Sequence, residues 1–350
     1  MDFTPEEGQE AARALAAEIF ADLSSHERLS ELGTATDAPL WKALCASGLP
    51  AAVEEIGLLG LALVLEEQGR RTAQVPLAVT CAYGLLPLAA HGSAEQRAEL
   101  LPALREGTAV ATGVLPERPQ VRAAGGLLSG TVPVVPWLRD ATHVVLPCAE
   151  GRLWLLRTAE AGAVTEPVET TAPWSAGRLT LDGARAEPLH APYAWLRACV
   201  RTAFAALQAG VCAGSLERAV AHTVSREQFG RPLSVHQGVQ LRAADAYMDT
   251  ESIRVTTYEA AWRHDRGLPS ETHALTAAWW AAEAGRRVVH SGQHLHGGIG
   301  ADLEHPVHRH FLWGRQLDAA LGSPARLLAE LGTALATGPE AEAEPEEAGA

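Results

Sequence analysis

Apolar positions recurring every three or four residues mark most of this chain as helix. Ala11, Leu15, Ile19 and Leu23 repeat every four residues within 4–26, and Thr4-Pro5-Glu6-Glu7 opens that stretch with an N-cap, an early proline and acids beside the positive helix end. The pattern predicts a helix with those four side chains on its buried face. Asp37-Ala38-Pro39-Leu40-Trp41 opens a second helix, and a long apolar one runs from Val53 to Gln68 with Gly69 as its stop. Helix continues around Val75 to Ala90. Ser93-Ala94-Glu95-Gln96 is a capping box for a helix through Leu104, which Gly107 ends.

The texture changes at Ala109. From there to Pro192 the chain is rich in Gly, Pro, Val and Thr, with short apolar or alternating runs such as 142–146 and Leu153-Trp154-Leu155-Leu156 between turn residues, the pattern of strands. Helical spacing then returns in four long segments, Trp195 to His222, Val235 to Arg263, His273 to His294 and Pro306 to Leu331, which suits a four-helix bundle. The expected fold is α+β and multidomain but mainly α. It has an N-terminal helical domain (1–108), a small central β domain (109–192), the C-terminal bundle (193–335) and a disordered acidic tail (336–350).

Composition narrows the function. The 350 residues are 47% hydrophobic and carry a formal charge of −14, with five glutamates in the last eleven positions. Without those five the body carries about −9, which argues against nucleic acid or an anionic membrane as partner. Cys45, Cys81, Cys148, Cys199 and Cys212 are scattered, odd in number and free of any C-x-x-C pair, so they are expected to be reduced thiols with no metal site. No basic-then-apolar leader opens the sequence, and no stretch of eighteen apolar residues runs without a charge or turn residue, so the expectation is a soluble cytoplasmic protein. Lys42 is the sole lysine, so any phosphate contact falls to Arg, His or the backbone.

Two short motifs carry the chemistry. Arg226-Glu227-Gln228-Phe229-Gly230-Arg231-Pro232-Leu233, followed by Gln237, lies between the first two bundle helices; alone it reads equally as a helix corner with Gly230 at the stop and Pro232 blocking continuation. His296-Gly297-Gly298-Ile299-Gly300, followed by Glu304-His305-Pro306, would alone be a turn. Together, at this separation, they resemble the R-x-x-F-G-x-P-[LI]…Q and H-G-G-x-G…E-x-P signatures of the acyl-CoA dehydrogenase family. Smaller matches lie at Asp37 to Leu49, Glu66 to Arg70 and Gly92 to Gly107, so the resemblance spans roughly residues 1 to 332 and is weakest in the β domain.

The resemblance implies an FAD-dependent oligomer that oxidises an acyl thioester of coenzyme A or a carrier protein, each subunit lending part of the flavin site to its neighbour. Arg226 would clamp the diphosphate, since guanidinium is a fixed positive fork. Gln228, Gln237 and His294 would donate hydrogen bonds, His294 standing where the family commonly has Gln and with Gln293 next door. Phe229 would supply an apolar wall. Gly297, Gly298 and Gly300 would let the backbone approach the cofactor.

The base is missing. Dehydrogenation needs a carboxylate to remove the proton beside the thioester, and the family places it about 26 residues before the arginine or about 23 after the second glycine. Those counts land on Val200 and Leu321. Asp318, Glu304 and Asp302 are the nearest acids, and Asp318 is the weak candidate. The β domain likewise lacks the family's T-E-P-x-x-G-S-D opening, having Ala111-Thr112-Gly113-Val114-Leu115-Pro116-Glu117 instead; Trp137 would line a flavin or pack. A lent half-site without a base of its own is the pattern of a subunit that completes the FAD site of a homologous partner. Three alternatives stay open: a homomeric dehydrogenase using Asp318, a flavin monooxygenase on the same fold, and a scaffold without flavin.

Overall fold

The computed structural model describes residues 3–149, 151–228 and 230–337, leaving Phe229 and most of the acidic tail outside the described residues. The N-terminal helices are α1 (Glu7–Leu23), α2 (His26–Glu31), α3 (Ala38–Ala46) and α4 (Leu49–Arg71). Next come α5 (Leu77–Val79) and α6 (Leu86–His91), joined by a π-helical turn over Thr80–Leu85, and then α7 (Ala94–Arg105). On α1 the buried residues are Ala12, Ala16 and Phe20, whereas Leu15 is 38% exposed. The face facing the core is therefore one residue on from the row predicted, because Phe20 offers more apolar area than the leucines it displaces. The cap also moves, to Glu6 in a reciprocal box with Gln9.

Gly69 does not stop α4. The helix runs on to Thr72, which takes a left-handed conformation at the C-cap, while Gly69 is buried against a neighbouring helix. The break lies earlier, at Gly57, whose φ of 69° is open to glycine at little cost. The second half of α4 then starts with its Leu58 and Leu59 amides donating to the Asp265 carboxylate at 2.7 and 2.9 Å. A side chain from the far end of the chain thus caps an N-terminal helix.

The sheet comprises β1 (Ala111–Gly113), β2 (Arg122–Ala124), β3 (Leu127–Val135), β4 (His143–Pro147), β5 (Leu153–Arg157), β6 (Ala163–Pro167) and β7 (Gly177–Leu189), in the order β1-β4-β5-β7-β3-β2 with β6 also on β7. Only the β1–β4 pair is parallel. The apolar runs in β4 and β5 follow from burial on both faces. Val144, Leu146, Trp154 and Leu156 face the sheet's own core, while Val145, Leu153 and Leu155 join the core built by the helices.

The bundle holds α8 (Tyr193–Ser225), α9 (Gln237–Asp265), α10 (Glu271–Leu295), α11 (Pro306–Leu321) and α12 (Pro324–Thr337). The segment predicted as one helix from Pro306 to Leu331 is two, since the chain leaves helical geometry at Gly322 before Pro324 starts again. By length and composition α8 could cross a membrane, but 89% of that apolar window is buried inside the fold. Cys81, Cys148, Cys199 and Cys212 are buried, and burial pushes the thiol of the half-buried Cys45 up to about 11.

Helix α8 is in backbone contact with α4. A Cβ on Gly69 would stand 2.2 Å from the Leu207 carbonyl oxygen, one on Gly210 2.0 Å from that of Glu66, and one on Gly214 2.3 Å from that of Arg70. Adding a methyl there must force the helices apart. Gly210→Ala is expected to destabilise the protein by about 1–3 kcal/mol, the usual cost of overpacking; urea denaturation against the parent measures it, and an unchanged midpoint would contradict the packing.

Candidate functional site

The C-terminal end of α8, the start of α9, the end of α10 and the start of α11 meet at one end of the bundle. Arg226 ends α8 with its amide on the His222 carbonyl at 2.8 Å. The chain then makes a short hairpin, β8 (Glu227–Gln228) against β9 (Arg231–Pro232), closed by the Leu233 amide on the Arg226 carbonyl at 2.9 Å. The corner reading of this motif is thereby corrected: the helix ends at Arg226, and Gly230 belongs to the hairpin turn. Gln237 is the first residue of α9.

The glycine motif follows α10 as a 3₁₀ turn over Gly297–Ala301. Gly297 has φ +66°, and nothing lies within 4 Å of where a Cβ on Gly297 or Gly298 would stand. Gly300 is different: its Cβ would meet the Gln293 carbonyl oxygen at 2.3 Å, and the Gln293 amide donates to its carbonyl at 3.0 Å. Gly300 and Gln293 therefore shape the loop, while Gly297 and Gly298 present open backbone. His294 is exposed.

What joins the two motifs is a histidine pair. His222, one turn before Arg226, stacks on His296, next to Gly297, with ring centroids 4.6 Å apart; His296 in turn meets His305 edge-on at 4.9 Å. Burial lowers the pKa of all three rings, and each is lowered further by neighbouring cationic groups. Arg226, Gln228, Gln237 and His294 are exposed around this junction, and Arg226 has no carboxylate partner among the described residues. An unpaired guanidinium beside open glycine backbone fits a diphosphate. Phe229 lies outside the described residues.

At the other end of α8 a cavity of about 560 Å³ opens between the sheet and the helices. Phe204, one turn on from Val200, lines it, as does Ala320, next to Leu321. Its walls are otherwise mostly apolar, with Val114, Pro133 and Trp174 among them. Val200 and Leu321 are themselves buried aliphatics. Asp318 is not among the lining residues; it pairs with Arg315 at 3.3 Å, and partial burial raises its pKa against that pairing. Glu304 and Asp302 stay with the glycine loop, where the Asp302 carboxylate accepts from the Glu304 amide at 3.0 Å. Trp137 packs, buried and stacked on Trp174 at 6.1 Å.

The sequence reading missed Glu169, the one carboxylate lining this cavity, which sits exposed on the loop after β6. It also missed Tyr83, buried in the cavity wall from the helical half of the chain. No periodicity or spacing marks either residue, because each reaches the cavity only through the packing of sheet on helices.

Family models for the acyl-CoA dehydrogenase N-terminal and C-terminal domains match residues 5–108 and 198–335. The chain belongs to the acyl-CoA dehydrogenase family. Its relatives include acyl-CoA dehydrogenase FadE27 of Mycobacterium tuberculosis, 31% identical over 97% of this chain and 100% of that one. Among solved structures, the Tcur3481-Tcur3483 steroid ACAD G363A variant is 38% identical over 94% of this chain and 98% of that one, with a TM-score of 0.90. The ChsE4-ChsE5 complex from Mycobacterium tuberculosis is 31% identical over 97% and 100%, also at 0.90. Acyl-CoA dehydrogenases are FAD-dependent flavoproteins, oxidoreductases of CH–CH bonds, and this chain has their mainly helical fold with the small sheet between two helical parts.

Because Asp318 is turned to Arg315 and is not among the cavity lining, Asp318→Asn is expected to change stability by no more than about 0.5 kcal/mol and to leave thioester oxidation unaltered in whichever assembly of this chain is active. Turnover falling by about 10² or more, the scale of a lost general base, would return Asp318 to the site.

Proposed function

We propose that this chain is the FAD-site-completing subunit of a heteromeric acyl-CoA dehydrogenase that oxidises an acyl thioester between its α and β carbons. The observation that carries this reading is the asymmetry along α8. One end presents Arg226, Gln228, Gln237, Gly297 and Gly298 to solvent, while at the other the two counted base positions are Val200 and Leu321, neither able to accept a proton.

In this reading Arg226 holds the diphosphate of a flavin whose ring lies in the partner subunit, Gln228 and Gln237 donate to phosphate or ribose oxygens, and Gly297 and Gly298 bring backbone amides close. Bound FAD supplies a hydride acceptor. The partner supplies the carboxylate that takes the α-proton, and this chain's part is to bind and orient. Two solved relatives support this reading: the ChsE4-ChsE5 complex, and the Tcur3481-Tcur3483 steroid ACAD with its paired name. The proposed substrate class is accordingly a thioester of a steroid-derived or similarly bulky apolar acid, carried by coenzyme A or a carrier protein. Exposed apolar side chains on α9, Leu241, Tyr247 and Met248 among them, give a partner subunit a surface to cover.

Glu169 on the cavity wall supports a second reading, a self-sufficient enzyme with a relocated base. Purification alone and with a homologous partner, with flavin counted per chain, separates the two. The expected result is one FAD for each pair of unlike chains and no turnover by this chain alone. Full flavin in the lone protein, with thioester oxidation abolished by Glu169→Gln, overturns the proposal. Within the complex, Arg226→Ala should weaken FAD binding by about 1.5–3 kcal/mol, the scale of a lost charge-assisted bond, with the melting temperature of the apo-complex unchanged. Equal flavin content in variant and parent would remove Arg226 from the site.

A further inference from the structure

Two arginines on the face between α4 and α8, Arg71 and Arg218, make no ion pair among the described residues. A cavity of about 220 Å³ there is lined by Arg70, Arg71, Gly214, Glu217, Arg218 and Ala221. The nearby carboxylates are taken, since Arg70 pairs with Glu67 at 3.2 Å and with Glu217 at 3.5 Å. Arg71 and Arg218 make no side-chain hydrogen bond or ion pair among the described residues. Arg218 is half-buried with Arg71 as a like-charged neighbour, and both effects lower its pKa. His296, His305 and His310 also feel its charge, and the buried His310 is pushed down to about 4. Glu217, the remaining acid at the cavity, is largely exposed and turned to Arg70.

A half-buried guanidinium beside a second, exposed one loses hydration and is repelled by its neighbour, and Glu217, itself turned to Arg70, offsets this only in part. An arrangement of that kind is stabilised by a compact ligand with several acceptor oxygens, and guanidinium forks match phosphate in geometry as well as charge. With Lys42 the sole lysine, arginine is the side chain this protein has for such a task. The cavity suits one phosphate group and not a nucleotide. It is also distinct from the flavin half-site: Arg226 is not among its lining residues, and Arg218 and Arg226 lie eight residues apart along α8, about 12 Å at helical rise.

We propose that Arg71 and Arg218 form a binding site for a phosphate dianion, presented either by free inorganic phosphate or by a phosphomonoester such as the 3′-phosphate of coenzyme A. The proposal stands independently of the flavin reading, because it uses neither Arg226 nor the glycine loop.

Isothermal titration of the purified protein, in the oligomer it forms and at fixed ionic strength, with inorganic phosphate, coenzyme A and 3′-dephospho-coenzyme A tests it. Phosphate binding should weaken at least tenfold in Arg71→Met, an exposed position where folding is unaffected, and in Arg218→Met, while Arg218→Lys retains part of it. Arg226→Ala should leave phosphate affinity as in the parent, so that a failure here is told apart from a failure of the flavin site. Competition by coenzyme A but not by its dephospho form assigns the site to a phosphomonoester; no competition by either assigns it to free phosphate. No saturable phosphate binding, as when carboxylates of a neighbouring subunit fill the cavity, or equal affinity in Arg71→Met and parent, overturns the proposal.

Discussion

The close approach of α4 and α8 is the constraint on which the rest of the structure depends. Gly69, Gly210 and Gly214 let two long helices touch backbone to backbone, with no room for a single Cβ at the three crossings. On the opposite side Gly285 and Gly292 of α10 make room for the Gln208 and Ser215 side chains of α8. Held on both sides, α8 is nearly inaccessible from Cys199 to Cys212 and serves as the rod against which the N-terminal helices, the bundle and the sheet are placed. Dispersion and apolar burial grow with every contact such proximity allows.

The two ends of α8 differ in character. Near its start lies the apolar cavity shared with the sheet, where the positions expected to hold a base are aliphatic. Near its end Arg218, His222 and Arg226 follow one another at four-residue spacing, so one helix face carries cationic groups out to the solvent. The stacking of His222 on His296 ties that face to the glycine loop 74 residues later in the chain. Burial lowers the pKa of both rings, and the positive charge of nearby Arg226 and Arg218 lowers it further. The contrast between the two ends is a property of one helix.

Some of this was legible in the sequence. The order of helices, strands and helices follows from periodicity and from the glycine- and proline-rich texture between 109 and 192. The Arg226 and Gly297 motifs, the capped starts at Asp37 and Ser93, and the loss of acids at 200 and 321 are all local facts, readable because a turn, a cap or a missing carboxylate is set by a few adjacent residues. Residues whose role depends on distant neighbours were not legible. Gly69 looks like a helix stop and is a helix contact; Leu15 looks buried, but Ala12, Ala16 and Phe20 face the core instead; Asp265 caps a helix more than two hundred residues earlier.

The sequence by itself determined which segments are helices and strands, where the two family motifs lie, and that positions 200 and 321 are aliphatic. Tertiary structure alone decided that the two motifs meet, that Glu169 and Tyr83 line the cavity while Asp318 does not, and that Arg71 and Arg218 share a pocket. The physical reason is range: hydrogen bonds along one helix or turn are set within four residues, whereas burial and charge pairing are fixed by whatever the folded chain brings alongside.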